Sequence, residues 1–281
     1  MIRTFYTGAS GMRAQQWKLD AVANNLANAD VDGYKKDVTV FKSFPELLIR
    51  RMGDDGVYKH PFGSADVSPI IGKLGTGVEF NELYTDHDQG AMKESGSDFD
   101  AALDGKGFFT VMTPRGERYT RNGAFHLGKE GLLETREGYP VMGENGPLHV
   151  KANNFQIDKA GNVWVNAEYA GEDLVDRSRN TWDDTVMLDT LKIVKFEKDR
   201  YLKKEGENLY LTSEYSGEAE LMEADERPVV YQGFTEASNV NPVIEMVQMI
   251  EVNRAYEANQ KVIQSGDNML GTLINQIARV S

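Results

Sequence analysis

The sequence predicts an α+β protein in which long helices at the two ends of the chain bracket a β-rich middle. Three observations carry this. Between Ile2 and Ala29 the only glycines are Gly8 and Gly11, and proline is absent. Apolar residues recur every seven positions at both ends. Between the ends, glycine-bearing turns separate short β-prone runs.

At the N-terminal end, Phe5, Met12, Leu19 and Leu26 fall seven apart, with Ala9, Gln16 and Ala23 four residues after the first three. This is a heptad-like seam on one helix. The helix is expected to stop near Asp30–Val31–Asp32–Gly33, with Gly33 in the left-handed conformation of a C-terminal cap. At about 1.5 Å per residue it reaches roughly 40 Å. At the other end, Asn241–Pro242 reads as an N-cap followed by proline in the first helical position, with Glu245 near the positive helix start. Met249, Tyr256, Ile263, Leu270 and Ile277 then repeat every seven residues. Val252, Leu273 and Val280 flank that row, and Asn259 and Gly266 interrupt it.

In the middle, Phe108–Met112 precedes the turn Pro114–Arg115–Gly116, and Glu117–Arg121 returns. Phe155–Ile157 and Val163–Val165 flank Asp158–Asn162 as a second hairpin, and Leu191–Phe196 and Leu209–Leu211 complete the β segment. Residues 50–75, rich in glycine and proline, and the acidic stretch 166–189 resist assignment. The expected organisation is one discontinuous helical domain from residues 1–45 and 236–281. An extended or irregular connection covers 46–96, and a β-rich domain with the acidic insert 166–189 covers 97–235.

Composition excludes several functions. A formal charge of −13 repels phosphates and argues against nucleic acid as a partner. With no cysteine, disulfides and thiolate sites are ruled out. No run approaches 18 consecutive apolar residues, so membrane insertion is not expected, and the start of the chain lacks the pattern of a cleaved signal peptide.

Catalytic constellations are weak. Asp98 with Asp100, or Asp183 with Asp184, could supply the paired carboxylates of a glycan hydrolase. With 44 acidic residues such pairs arise by chance on a solvated surface. His60, His87, His126 and His149 are scattered and match no metal-binding spacing. In Asp86–Asp88–Gly90 the glycine falls one position too early for a calcium loop. Gly8–Ala9–Ser10–Gly11 misplaces the second glycine of a nucleophile elbow, and Gly72, Gly75 and Gly77 lack the Lys-Ser/Thr ending of a phosphate loop. No catalytic residue, metal site or cofactor is expected.

Long striped helices are marginal alone and gain stability by packing. The two ends can pair with each other and still offer faces to neighbouring copies, and a head-to-tail contact that does not close builds a filament. Periodicity alone leaves open that both helices simply cover one face of the β domain. Asn24, Asn25 and Asn28 in the first helix, and Asn253 and Asn259 in the second, are polar residues of the kind that fix register on a seam. Asn239 and Asn241 read as solvent-facing or capping groups.

The residues then become recognisable. Ala23–Asn24–Asn25–Leu26–Ala27–Asn28 with Asp32–Gly33–Tyr34–Lys35 resembles the N-terminal signature of flagellar rod and hook proteins. Glu236–Ala237–Ser238–Asn239–Val240–Asn241 and Glu251–Val252–Asn253–Arg254–Ala255–Tyr256–Glu257 resemble the C-terminal signature of that family. Asp104–Gly105–Lys106–Gly107–Phe108–Phe109 and Tyr119–Thr120–Arg121–Asn122–Gly123 resemble its central β domain. The resemblance implies a structural subunit of the flagellar basal-body rod, required for flagellum assembly and motility, that self-assembles through its terminal helices in the axial core and transmits torque from motor to hook. It implies export through the flagellar type III apparatus without a cleaved signal, a periplasm-spanning location, and partners that are copies of itself and other rod and hook subunits. Residues 139–147 look closer to the proximal rod type and Met1–Ile2–Arg3 to the distal, with a slight lean to the proximal. The expected assembly residues are Phe5, Met12, Leu19, Asn24, Asn25, Leu26, Asn28, Asn253, Arg254, Tyr256, Ile263, Leu270 and Ile277, with the helices loose before assembly. The alternatives are a cell-wall glycan-acting enzyme and a secreted β-domain adhesin or scaffold.

Overall fold

The structure, a computed structural model, describes residues 2–51, 58–60, 63–65, 70–169, 182, 184–206 and 208–277. It is α+β, with helix α1 (Ile2–Ala27) at one end, helix α2 (Pro242–Ile277) at the other and strands between. Proline opens α2 at its first position, where its missing N–H has no helical partner to lose. The chain divides into two compact units. One comprises Met1–Asn24, Val38–Leu83 and Val243–Ser281; the other comprises Asn25–Asp37 and Tyr84–Pro242.

In the first unit α1 and α2 are accompanied by antiparallel pairs of strands, Leu47–Arg50 with Ile70–Leu74 and Tyr58–His60 with Gly63–Ala65. Its buried apolar residues, among those described, are Ala14, Ala21, Val22 and Val252. Leu47, Leu48, Ile49, Ile70 and Ile71 of the first hairpin are all exposed.

The second unit has a core of its own. A six-stranded antiparallel sheet runs in the order Lys203–Lys204, Leu209–Leu211, Gly116–Thr120, Phe108–Thr113, Ile193–Lys195 and Glu220–Leu221. The expected hairpin of Phe108–Thr113 with Gly116–Thr120 is present, with Tyr119 opposite Thr110. So is the second, as Gln156–Ile157 pairs with Asn162–Asn166, which pairs in turn with Thr185–Thr190. Leu103, Phe109, Val111, Leu133, Leu191 and Ile193 lie at the centre of the larger apolar cluster, and Phe108, Tyr119, Val194 and Tyr210 anchor a second one. Most of the acidic insert, including Asp183, lies outside the described residues.

Gly33 does take a left-handed conformation, with φ +70°. Its reason goes beyond capping, because α1 ends six residues earlier at Ala27. A Cβ here would stand 2.4 Å from the backbone nitrogen of Asn122, so two chain segments touch main chain to main chain.

Candidate assembly interface

Within the first unit α1 and α2 approach at three glycines. A Cβ on Gly8 would lie 2.9 Å from Ile263 Cγ1, one on Gly11 2.9 Å from Asn259 Nδ2, and one on Gly266 3.2 Å from Phe5 Cζ. Ascending numbers on α1 meet descending numbers on α2, so the helices run antiparallel where they touch. Asn259 and Gly266, which break the apolar row in the sequence, are thus the residues facing α1. Their small or slender side chains let the backbones come close.

The residues expected at assembly contacts divide by burial. Phe5, Met12, Leu19, Leu26, Ile263 and Leu270 are half-buried. Tyr256, Asn24, Asn253 and Arg254 are exposed, Asn28 is half-buried, and the Ile277 side chain lies outside the described residues. On α2 the deepest position is Val252, followed by Glu245. Within the seven-residue row of α2, Met249, Ile263 and Leu270 are half-buried while Tyr256 is exposed and its neighbour Ala255 is half-buried. Further apolar residues of α2 are exposed on more than one side: Val247 at 51% and Ile250 at 54% with Val243 and Met246, and on a flank Val262, Met269 and Leu273.

Asn25 belongs to the second unit and acts inside the chain. Its Nδ2 donates to the Asp37 carbonyl at 2.9 Å, and its Oδ1 accepts from Asp37 N at 2.8 Å and from Tyr34 Oη at 3.2 Å. Asn239, read from sequence as solvent-facing or capping, is instead half-buried. Its Oδ1 accepts from Lys36 N at 2.8 Å and its Nδ2 donates to the Asp86 carbonyl at 2.9 Å. Asparagine suits both places because one amide satisfies a donor and an acceptor of nearby main chain.

The residues of the separate signatures converge on an ionic cluster that sequence reading missed. Lys35 Nζ lies 2.5 Å from Glu236 Oε1 and donates to the Asp88 carbonyl at 2.7 Å. Gly90 N donates to the same Oε1 at 2.8 Å. Arg121 Nε stands 3.3 Å from Glu236 Oε2, and its Nη2 donates to the Gly105 carbonyl at 2.6 Å. The exposures are 0% for Lys35, 1% for Glu236 and 4% for Arg121. Burial pulls the Lys35 ammonium below its ordinary pKa, and the neighbouring Glu236 carboxylate partly offsets this. Arg121 is lowered by burial in the same way.

Beside the cluster, His87 packs edge-on against Phe108 and Tyr210, with ring centroids at 5.4 and 5.1 Å. Neither ring nitrogen has a hydrogen-bond partner among the described residues, and burial holds its pKa down at about 4. Lys204 bridges the Lys35 carbonyl and Asp37 Oδ1 at 2.6 and 2.8 Å, with its ammonium 4.3 Å over the Tyr34 ring. The Glu236 carboxylate is held between two cations, and both lysines donate to main-chain carbonyls of other segments. The arrangement fastens chain segments. The only signal in the sequence was that Lys35, Arg121 and Glu236 each sit in a recognised motif.

Elsewhere, Asp86 accepts from Asp88 N at 3.1 Å and pairs with Lys36 at 3.1 Å, forming a turn rather than a cation loop. Asp100 is buried, which raises its pKa, and its main chain closes a turn with Ser97 and receives Gly233 N. Among the described residues no cluster of three or more carboxylate or histidine side chains could hold a metal.

Comparison with known proteins gives the same answer along the chain. Residues 5–35 match the flagella basal body rod protein family. Residues 102–165 match the flagellar hook protein FlgE/F/G D1 domain, and residues 231–277 match the flagellar basal body rod FlgEFG protein C-terminal family. The flagellar basal-body rod protein FlgG of Buchnera aphidicola subsp. Acyrthosiphon pisum is 32% identical over 280 residues, covering 97% of this chain and 99% of that protein. FlgG of Bacillus subtilis is 33% identical over 288 residues, covering 98% and 99%. The flagellar basal-body rod protein FlgF of Caulobacter vibrioides is 30% identical over 283 residues, covering all of both chains. The identities to FlgG and FlgF proteins are alike and do not set the chain in one type. With these matches spread from end to end, the chain belongs to the flagellar basal-body rod protein family.

Proposed function

We propose that this chain is a structural subunit of the flagellar basal-body rod, which joins copies of itself and other rod and hook subunits through the faces of α1 and α2. One observation carries the reading. Among the described residues the helical unit fully buries only small apolar side chains, whereas α2 leaves Met246, Val247, Ile250, Val262 and Met269 exposed on more than one side. An apolar helix face is stable when it is covered. In a rod the neighbours surround it.

The glycine-mediated contact between α1 and α2 supports a coiled-coil-like antiparallel pair as the axial element, with the β unit built on its own core. The exposed hairpin of Leu47–Arg50 and Ile70–Leu74 supplies a further apolar surface for neighbours. The subunit passes through the flagellar type III export apparatus without a cleaved signal, takes its place in the periplasm-spanning rod and carries torque from motor to hook. No described helix is long and apolar enough to cross a membrane. The enzyme and adhesin alternatives draw no support from relatives that are rod proteins.

The test is to purify hook–basal-body complexes and quantify this chain by mass spectrometry against known rod subunits. A fixed, small ratio is expected, and deletion of residues 2–27 or 243–277 abolishes incorporation. Absence of the intact chain from complete complexes refutes the reading.

A further inference from the structure

The outer side of α1 carries a groove of about 440 Å³ walled by Tyr6, Trp17, Phe44 and Phe80, with Arg13 on its rim. The wall is preformed, since Trp17 stacks on Phe80 with centroids 5.0 Å apart. Tyr6 remains 71% exposed, and Arg13 is exposed with no ion-pair partner among the described residues. At about 100° per residue, Tyr6 and Arg13 point away from the side on which Gly8 and Gly11 meet α2.

The same geometry orients α2. Val252, Asn259 and Gly266 mark the side turned toward α1. Met246, Val247 and Ile250 fall on the opposite side, forming an exposed apolar ridge, with the exposed Arg254 one turn beyond Ile250. Glu251 flanks it one turn after Val247, exposed and unpaired among the described residues. Groove and ridge therefore lie on opposite outer faces of the helix pair, and one chain cannot bring them together.

We infer that the aromatic groove on α1 of one copy receives the Met246–Val247–Ile250 ridge of a second copy, with Arg13 pairing with Glu251 across the contact. The inference rests on the rod reading and adds the surfaces that meet. The occupant is a second copy because that chain presents both the apolar ridge and the acidic side chain that the unpaired arginine in the groove calls for. Since a chain at −13 repels its own kind at long range, a local pair of opposite charges selects the approach. Distinct surfaces meeting head to tail leave each new copy with an open groove and an open ridge, the geometry of an extending filament.

The chain has no cysteine, so Trp17→Cys with Ile250→Cys introduces its only two thiols. Hook–basal bodies from cells carrying this variant as the sole copy, oxidised and run without reductant, are expected to give a ladder of covalent multimers. Either single variant gives none. If the chain is present in the rods but stays monomeric, or closes an internal disulfide, the pairing is wrong while the rod reading stands. A chain missing from unsubstituted rods overturns the rod reading itself. Should the cysteine variant fail to incorporate, charge reversal decides. Arg13→Glu and Glu251→Arg should each lower the number of complete basal bodies several-fold, and the double reversal should restore it. No recovery in the double variant refutes the contact.

Discussion

Replacing Glu236 by Gln isolates the electrostatics of the buried cluster. Glutamine keeps the shape of the side chain and an oxygen that can still accept from Gly90 N, so the backbone contact at 2.8 Å need not be lost. The negative charge goes, and Lys35 and Arg121 remain buried with nothing opposite. Breaking a buried pair from one side destabilises by about 3–5 kcal/mol. Both cations retain a backbone carbonyl, Asp88 for Lys35 and Gly105 for Arg121, which places the loss near the lower end at about 3 kcal/mol. For a domain of roughly 150–250 residues that corresponds to a fall in Tm of about 6–12 °C. Near-UV circular dichroism of the full chain on heating would follow it. The pH dependence has a fixed sign. Lys35 already titrates below its ordinary value of 10.5 in the folded chain, and loss of Glu236 lowers it further. The unfolded chain then binds the proton more tightly than the folded one, so stability rises with pH and the deficit of Glu236→Gln shrinks toward pH 10. Lys35→Met added to Glu236→Gln should recover part of the loss. A Tm within about 2 °C of the parent, or a double variant whose losses simply add, would refute the coupling.

Two further perturbations address different parts of the molecule. His87 titrates near 4 when folded against about 6.5 when unfolded, so its contribution is intact above pH 6.5 and is lost as pH falls. Between pH 7 and 5 that amounts to roughly 2 kcal/mol, so His87→Leu should flatten the urea-midpoint profile in this window, and an unchanged slope would assign the acid sensitivity elsewhere. Gly8→Leu puts side-chain atoms where Ile263 already stands, and overpacking of this kind destabilises by about 1–3 kcal/mol, outweighing the gain of about 1 kcal/mol in helix propensity. Amide hydrogen exchange in α1 should accelerate, and slower exchange would mean that the helices do not pack this closely.

The helices were legible because their signals are local: period, proline at the start of α2, absence of glycine runs. The hairpins around Pro114–Gly116 and Asp158–Asn162 were legible for the same reason. The packed face of α2 was not. Asn259 and Gly266 looked like faults in an apolar row, because sequence scales reward large apolar side chains, whereas close helix contact needs small ones. The ionic cluster was equally hidden. Lys35, Arg121 and Glu236 are three charges among 75 in the chain, and only the fold brings positions 201 residues apart into contact. Asn25 and Asn239 were read by residue type as seam or cap residues, while the use of their amides depended on which main-chain groups the fold left nearby.

The two units differ in where their cores come from. Among the described residues, every large side chain that is fully buried, from Phe109 and Leu103 to Ile193 and Tyr210, belongs to the β unit, including the two charged ones, Lys35 and Glu236. The helical unit buries Ala14, Ala21, Val22 and Val252, too little to hold a helix of 36 residues by apolar burial alone. Its larger apolar residues are at most half-buried, as Phe5, Met12, Leu19, Ile263 and Leu270 are, or exposed, as Met246, Val247 and Ile250 are. Fully burying such a side chain is worth about 1.5–3 kcal/mol, and Met246, Val247 and Ile250 are each about half exposed, so covering the three in the proposed contact would supply roughly half that sum, about 2–4 kcal/mol. The β unit carries its stability in its own core, whereas in the proposed rod the helices gain theirs from neighbours, so that the exposed apolar side chains of α2 become the other half of a core only on assembly.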